Sequence, residues 1–153
     1  MTNLVIAIRN TDLKRSAQRY DLMLGIGMDI ISMNRMAETM QRSGDIFLRR
    51  AFSPSEIQRG KQSDNPVAFF ATAFAAKEAV FKALALSWDQ DIDLRNMEVC
   101  RGPVGEPLME LSGQVERIAR EKGCVHVMLS LSYETDSAVA MVVLSGKVRG
   151  VRS

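Results

Sequence analysis

An alanine-rich segment over residues 66–86 constrains the fold of this chain more than any other feature. Asn65 is a good N-cap residue and Pro66 is suited to the first helical position, so together they predict the start of a helix. One stripe of this helix carries the larger side chains: Phe70, Phe74, Lys77 and Phe81. Alanines fill most of the other positions, and a helix with so little side-chain volume lets another element pack very close. We therefore predict a central helix from about residue 66 to about residue 86.

A strand is predicted from Leu22 to Ile30, because apolar residues alternate there with small or polar ones. The alternation puts Asp29 on the same face as Gly25 and Gly27. The two glycines leave that face bare, so a bulky neighbour can reach the carboxylate.

The segment after this strand predicts two helix starts. Apolar residues recur at helical spacing and Gly44 is placed to end the first helix; they are Met33, Met36, Ala37 and Met40. Arg35 and Arg42 are seven residues apart and point the same way. Asp45 can cap a short turn, and Ser53-Pro54-Ser55-Glu56 has the form of a capping box with proline at the first helical position.

The second half of the chain predicts four strands and a short helix. Strands at 97–101 and 108–111 flank a Gly/Pro turn at 102–107, and an amphipathic helix follows at 115–122. Strands at 125–132 and 138–144 form a hairpin, and their continuous apolar content predicts that both are central. The fold class is α+β, with an antiparallel sheet packed on the long Ala-rich helix.

Length and charge limit the function classes. The chain has 153 residues, enough for one domain, and a net charge of +2. Residues 1–61 carry 10 basic and 6 acidic residues, a net +4, so residues 62–153 carry a net −2. The excess of basic residues in the first 61 positions predicts a docking face for an acidic partner. The alternative is an ordinary solvated surface. So small a net charge, with no readable aromatic stacking platform, argues against nucleic-acid binding.

Cysteine use and hydropathy predict a location. Cys100 and Cys124 have no CxxC spacing and are expected to be free thiols in a reducing cytoplasm. The longest apolar run, residues 67–76, is too short to span a membrane. No basic residue precedes the short apolar stretch at residues 4–8, so we predict no signal peptide and a cytoplasmic protein.

Four charged residues stand in otherwise apolar elements: Asp29 in the strand, and Lys77, Glu78 and Lys82 in the central helix. Buried charges are costly unless they are paired or bind a metal. Two carboxylates plus substrate phosphates are a usual way to hold Mg2+, and Lys82, one turn beyond Glu78, could reach the same phosphates. The alternatives are a surface i,i+4 pair for Glu78 and Lys82 and a strand-end turn role for Asp29. The lone histidine, His126, is interpreted as structural.

Several motifs, in order, resemble the signatures of holo-acyl-carrier-protein synthases, the small 4′-phosphopantetheinyl transferases. They are Leu24-Gly25-Ile26-Gly27-Met28-Asp29-Ile30, Phe52-Ser53-Pro54-Ser55-Glu56, the run Phe74–Leu84 with its Ala-Ala-Lys-Glu-Ala core, Gly105-Glu106-Pro107, and Ser130-Leu131-Ser132. The resemblance covers about residues 23–145. It implies transfer of phosphopantetheine from coenzyme A to a serine of an apo acyl carrier protein, with release of adenosine 3′,5′-bisphosphate.

The resemblance also implies roles for residues. Mg2+ would lie between Asp29 and Glu78, and these two with Lys82 would be catalytic. The residues expected to contact coenzyme A are Lys77, Lys82, Gly105, Pro107 and Ser132. Arg35, Arg42 and Arg49 would dock the acidic carrier protein. A homotrimer with coenzyme A in the clefts between subunits is implied.

The sequence departs from the family pattern at three places expected near coenzyme A: Ala73, Ala85-Leu86-Ser87 and Tyr133. Two other functions therefore stay open, a carrier-binding homologue without turnover and a Mg2+-dependent pyrophosphate hydrolase. We predict an N-terminal extension at 1–22, a single transferase domain at 23–148 and a tail at 149–153.

Overall fold

The computed structural model describes residues 22–146, which form five strands, four α-helices and two single-turn 3₁₀ helices. In chain order they are β1 (Leu22–Ser32), α1 (Met33–Ala51), α2 (Pro54–Lys61), α3 (Pro66–Ala83), the 3₁₀ turns Trp88–Gln90 and Leu94–Asn96, β2 (Met97–Arg101), β3 (Pro107–Leu111), α4 (Gly113–Glu121), β4 (Cys124–Tyr133) and β5 (Ser137–Gly146). The predicted extension and tail lie outside the described residues, apart from Leu22.

The strands form two antiparallel sheets, and the predicted α+β class is confirmed. The larger sheet has the order β1-β5-β4, and β2 pairs with β3 in a separate hairpin. The expectation that both late strands are central is therefore wrong for β4, which is an edge strand among the described residues. α3 covers β5 and β4 from one face, and this burial accounts for the apolar residues of both strands. A continuous apolar strand therefore shows that it is covered, but not that it has a strand neighbour on each side.

The close packing predicted for the central helix is present between α3 and β1. A Cβ on Gly25 would meet the carbonyl oxygen of Ala83, and one on Gly27 would meet that of Ala79. Bare strand backbone thus lies directly on helix backbone, and only glycine on one side and alanine on the other permit this approach. The neighbour expected beside Asp29 is α3 itself.

The predicted helix starts and stops are found. Asn65 caps α3 by accepting a hydrogen bond from the Ala68 N–H, and Ser53 forms a capping box with Glu56. Gly44, with φ +40° and ψ −126°, breaks α1 into two helical parts, a conformation open to glycine and strained for other residues. No helix within residues 22–146 is both long enough and apolar enough to cross a membrane.

Candidate active site

Asp29 and Lys82 meet where β1 lies on α3. Lys82 Nζ donates to Asp29 Oδ1 at 2.7 Å and to the Met28 carbonyl at 3.0 Å. The Asp29 side chain is mostly buried, whereas about half of the Lys82 side chain is exposed. The glycines that let α3 approach β1 also bring this carboxylate to the ammonium group of Lys82, 53 residues later in the sequence.

Glu78, one turn before Lys82, lies beside the same carboxylate. Its pKa is raised above the ordinary glutamate value, first by burial and second by the negative charge of Asp29, while Lys82 opposes the shift. A site whose negative charge raises the pKa of a glutamate also attracts a cation. The structure therefore brings together the three residues that the sequence singled out for catalysis.

The end of α3 fixes Lys82 through a helix cap. The Ala85 N–H donates to the Lys82 carbonyl at 3.0 Å, and the Leu86 N–H donates to the Phe81 carbonyl at 2.9 Å, which is the Schellman pattern. Ala85 has φ +50°, a left-handed conformation that glycine adopts without strain. The departure from a glycine-rich turn noted in the sequence thus keeps a glycine-like backbone with an alanine side chain.

Lys77 does not face this site, and the expectation that it contacts coenzyme A is wrong for the described structure. Its side chain is 0% exposed, and its ammonium group donates to Glu56 Oε2 at 2.8 Å, the Leu94 carbonyl at 3.0 Å and the Met97 carbonyl. All three of its N–H donors are used inside the protein. Burial lowers the pKa of Lys77, and the Glu56 carboxylate opposes that shift.

Glu56 is the residue that sequence reasoning missed. The capping box predicted its link to Ser53 but not its complete burial against Lys77. A signal for this contact was present in the sequence. Lys77 stands in an apolar helix and Glu56 lies in the preceding helix, and a buried charge needs a partner.

The donor set fits a magnesium ion. Among residues 22–146 no group of three or more His, Cys, Asp or Glu side chains could hold a metal, so Asp29 and Glu78 stand as a pair. Two carboxylates suit Mg2+, which keeps several waters and takes its remaining ligands from substrate phosphates. Asp29 and Glu78 would hold the ion.

The remaining predicted coenzyme contacts are on other elements than β1 and α3. Gly105, with φ +86°, is in the turn between β2 and β3, and Pro107 is buried at the start of β3. Ser132 pairs with Val139, which pairs with Ile30, so Ser132 is on the Ile30 face of the sheet. Asp29 is on the opposite face, because successive side chains of a strand alternate.

Other predicted residues fall on the surface or in the core. Arg35 and Arg42 are exposed before the break at Gly44, and Arg49 is exposed after it. Ala73 is buried in α3, and Tyr133 is half exposed at the end of β4.

The fold and the acidic pair can now be compared with known proteins. Residues 25–142 match the 4′-phosphopantetheinyl transferase superfamily. The holo-[acyl-carrier-protein] synthase of Desulforudis audaxviator is 38% identical over 125 residues, which are 82% of this chain and 95% of that protein. The synthase of Koribacter versatilis is 38% identical over 80% of this chain and 98% of its own length.

Solved structures give the same result. The crystal structure of the Neisseria meningitidis holo-[acyl-carrier-protein] synthase superposes with a TM-score of 0.75 at 32% identity, covering 80% of this chain and 98% of that one. The Bacillus anthracis synthase, solved in complex with CoA (3′,5′-ADP), gives 0.67 at 30% identity over 82% and 98% of the two chains. The chain therefore belongs to the 4′-phosphopantetheinyl transferase superfamily and, within it, to the holo-[acyl-carrier-protein] synthases.

Proposed function

We propose that this enzyme transfers the 4′-phosphopantetheine group from coenzyme A to a serine hydroxyl of an apo acyl carrier protein. The serine oxygen bonds to the phosphorus that carries pantetheine, the pyrophosphate P–O bond breaks, and adenosine 3′,5′-bisphosphate leaves. The observation that carries the proposal is the half-buried Glu78 carboxylate beside the Asp29–Lys82 pair.

The residues have separate tasks in this reaction. Glu78 or Asp29 is the carboxylate that we assign as acceptor of the serine proton. We assign donation to the departing phosphate to Lys82, whose half-exposed ammonium at the end of α3 supports this role. When bound, Mg2+ supplies charge neutralisation at the pyrophosphate and draws electron density toward the leaving group.

The working enzyme is proposed to be a homotrimer. Alternate apolar side chains of β1 are largely exposed on one face of the sheet: Ile26 at 58%, Met28 at 61% and Ile30 at 66%. Met141 of β5 lies opposite Met28 on the same face. An apolar sheet face of this kind is typical of a protein interface, and we assign it to a second copy of the chain. Ser132 is on this face and Asp29 on the other, so in the proposed trimer one coenzyme molecule would contact Asp29 of one subunit and Ser132 of its neighbour.

The direct test is intact-mass measurement of an apo carrier protein after incubation with coenzyme A, Mg2+ and enzyme. The expected result is the added mass of phosphopantetheine, with loss of about 10²-fold or more in rate for Asp29→Asn and Glu78→Gln. No added mass but tight carrier binding would support the non-catalytic homologue. Cleavage of the coenzyme without a carrier would support the hydrolase.

The trimer is tested separately by sedimentation. Met28→Glu places a charge in the proposed interface and is expected to lower the mass of the assembly. Val104→Glu, at an exposed apolar residue of the β2–β3 turn, is the matched control and is expected to leave it unchanged.

A further inference from the structure

A completely buried ion pair holds α3 on the side away from β1. Glu56 Oε2 accepts hydrogen bonds from Lys77 Nζ at 2.8 Å and from the Ser53 N–H at 2.9 Å, while Oε1 accepts from the Val99 N–H at 2.9 Å. With the Lys77 bonds to the Leu94 and Met97 carbonyls, the pair joins α3 to the start of α2, to the second 3₁₀ turn and to β2.

The opposite side of the same helix is fixed by backbone contact. Ala79 and Ala83 lie against Gly27 and Gly25 of β1. Successive residues of an α-helix are about 100° apart around its axis. Lys77 and Ala79 therefore point to nearly opposite sides of α3, about 160° apart. Glu78 points to the side between them. The ion pair and the glycine contact together determine the rotation of α3, and with it the direction of Glu78.

Stability alone does not account for a buried pair. Replacing both members of such a pair by neutral side chains of similar volume is often harmless, because the attraction between the charges barely repays their loss of hydration. A directional role accounts better for the buried pair. Lys77 and Glu56 together make five hydrogen bonds, and these fix the orientation of α3 more closely than apolar packing would.

We propose that the Lys77–Glu56 pair is a positioning device for the active site, which holds α3 at the rotation that sets the Glu78 carboxylate beside Asp29. The inference rests on the proposed function, because it concerns the ion that Asp29 and Glu78 would share. Lys77 and Glu56 are positioning residues and touch no substrate.

The test compares the wild type with the double variant Glu56→Gln/Lys77→Met, which removes both charges at nearly constant volume. Mg2+ binding is measured by calorimetry on the protein without coenzyme A, and kcat and KM for coenzyme A are measured in the transfer assay. We expect the double variant to be folded without urea but to unfold at a lower urea concentration than the wild type, because the Leu94 and Met97 carbonyls lose their donor. We also expect it to bind Mg2+ at least tenfold more weakly and to lose kcat with KM within threefold. Val115→Ala, a core change in α4, is the control for a general loss of stability.

Glu56→Asp keeps both charges and shortens the carboxylate by one methylene, so it tests the same point if the double variant does not fold. It is expected to weaken Mg2+ binding by a smaller factor. A folded variant of either kind with Mg2+ affinity and kcat within twofold of the wild type would overturn the inference. A wild-type protein that binds no Mg2+ and transfers nothing would instead contradict the proposed function.

Discussion

Lys82 and Asp29 form an ion pair across the contact between α3 and β1, with 2.7 Å between Nζ and Oδ1. The lysine thus pairs with one oxygen of a carboxylate that would hold a magnesium ion, and its positive charge would weaken binding of that ion. When Mg2+ binds, it would therefore have to compete with the Lys82 ammonium for Asp29.

This competition predicts two opposite effects of Lys82→Met. Mg2+ affinity without coenzyme A should rise several-fold, because a positive charge is removed from beside the site. Transfer should fall about 10²-fold, because the departing phosphate loses its donor. Calorimetry and the mass assay measure the two quantities. Lys61→Met, which removes a lysine from the exposed pair with Asp45, is the matched control; unchanged Mg2+ affinity in Lys82→Met would contradict the prediction.

The pKa of Glu78 predicts how the metal-free protein depends on pH. A carboxyl whose pKa is raised on folding favours the folded state below the ordinary glutamate pKa, and that contribution is lost as pH rises through the raised value. Glu78→Gln should therefore stabilise the metal-free protein at neutral pH, by less than about 1 kcal/mol since solvent screens the half-buried group. Urea unfolding at pH 4 and pH 7.5 checks this. If Glu78→Gln stabilised the protein more at pH 4 than at pH 7.5, the result would contradict a raised pKa of Glu78.

The glycine contact predicts a severe effect of Gly27→Ala. The new Cβ would overlap the Ala79 carbonyl, and we expect the strand and the helix to move apart there, next to Asp29 and Glu78. We expect a loss of about 1–3 kcal/mol in the free energy of unfolding, together with most of the activity. Gly102→Ala is the control, because its Cβ would meet only the flexible Glu106 side chain. Equal effects of the two substitutions would argue against a special role for the helix–strand contact.

The cap of α3 predicts a stabilising change. Ala85 has φ +50°, which costs about 1–2 kcal/mol for a residue with a Cβ. Glycine removes that strain. It also makes the unfolded chain more flexible, which lowers the free energy of unfolding by about 0.4–1 kcal/mol. Ala85→Gly should therefore raise the free energy of unfolding by a few tenths to about 1 kcal/mol, measured by the fluorescence of Trp88, the only tryptophan of the chain, which stacks on Phe81 of α3. A destabilised Ala85→Gly would show that the alanine methyl makes a needed contact.

The exposed arginines of α1 predict a salt-dependent carrier interaction. Arg35→Glu and Arg42→Glu should each raise KM for an acidic carrier protein about tenfold at low salt, with KM for coenzyme A unchanged and the difference shrinking as salt is added. Arg49→Glu tests whether the surface continues past Gly44. Arg117→Glu makes the same change on exposed α4 and is expected to have little effect.

Local signals in the sequence determined much of this structure. Asn65, Ser53 and Gly44 mark two helix starts and one helix break through hydrogen bonds and backbone angles that involve only neighbouring residues, so these boundaries could be predicted from the sequence. The end of α3 at Ala83 lies three residues before the predicted one. Charges in apolar surroundings pointed to Asp29, Glu78 and Lys82, because such charges are costly without a partner.

Tertiary structure decided what these local signals leave open. Alternation along β1 separates two faces but does not say which one packs inward, and here the Gly25–Gly27–Asp29 face packs on α3 while Ile26, Met28 and Ile30 are exposed. Lys77 and Glu78 are neighbours in sequence, yet one is enclosed by Glu56 and the other lies beside Asp29, because a helix turns about 100° between them. Which side of a helix meets which strand depends on contacts between residues far apart in the chain, and only the folded protein fixes them.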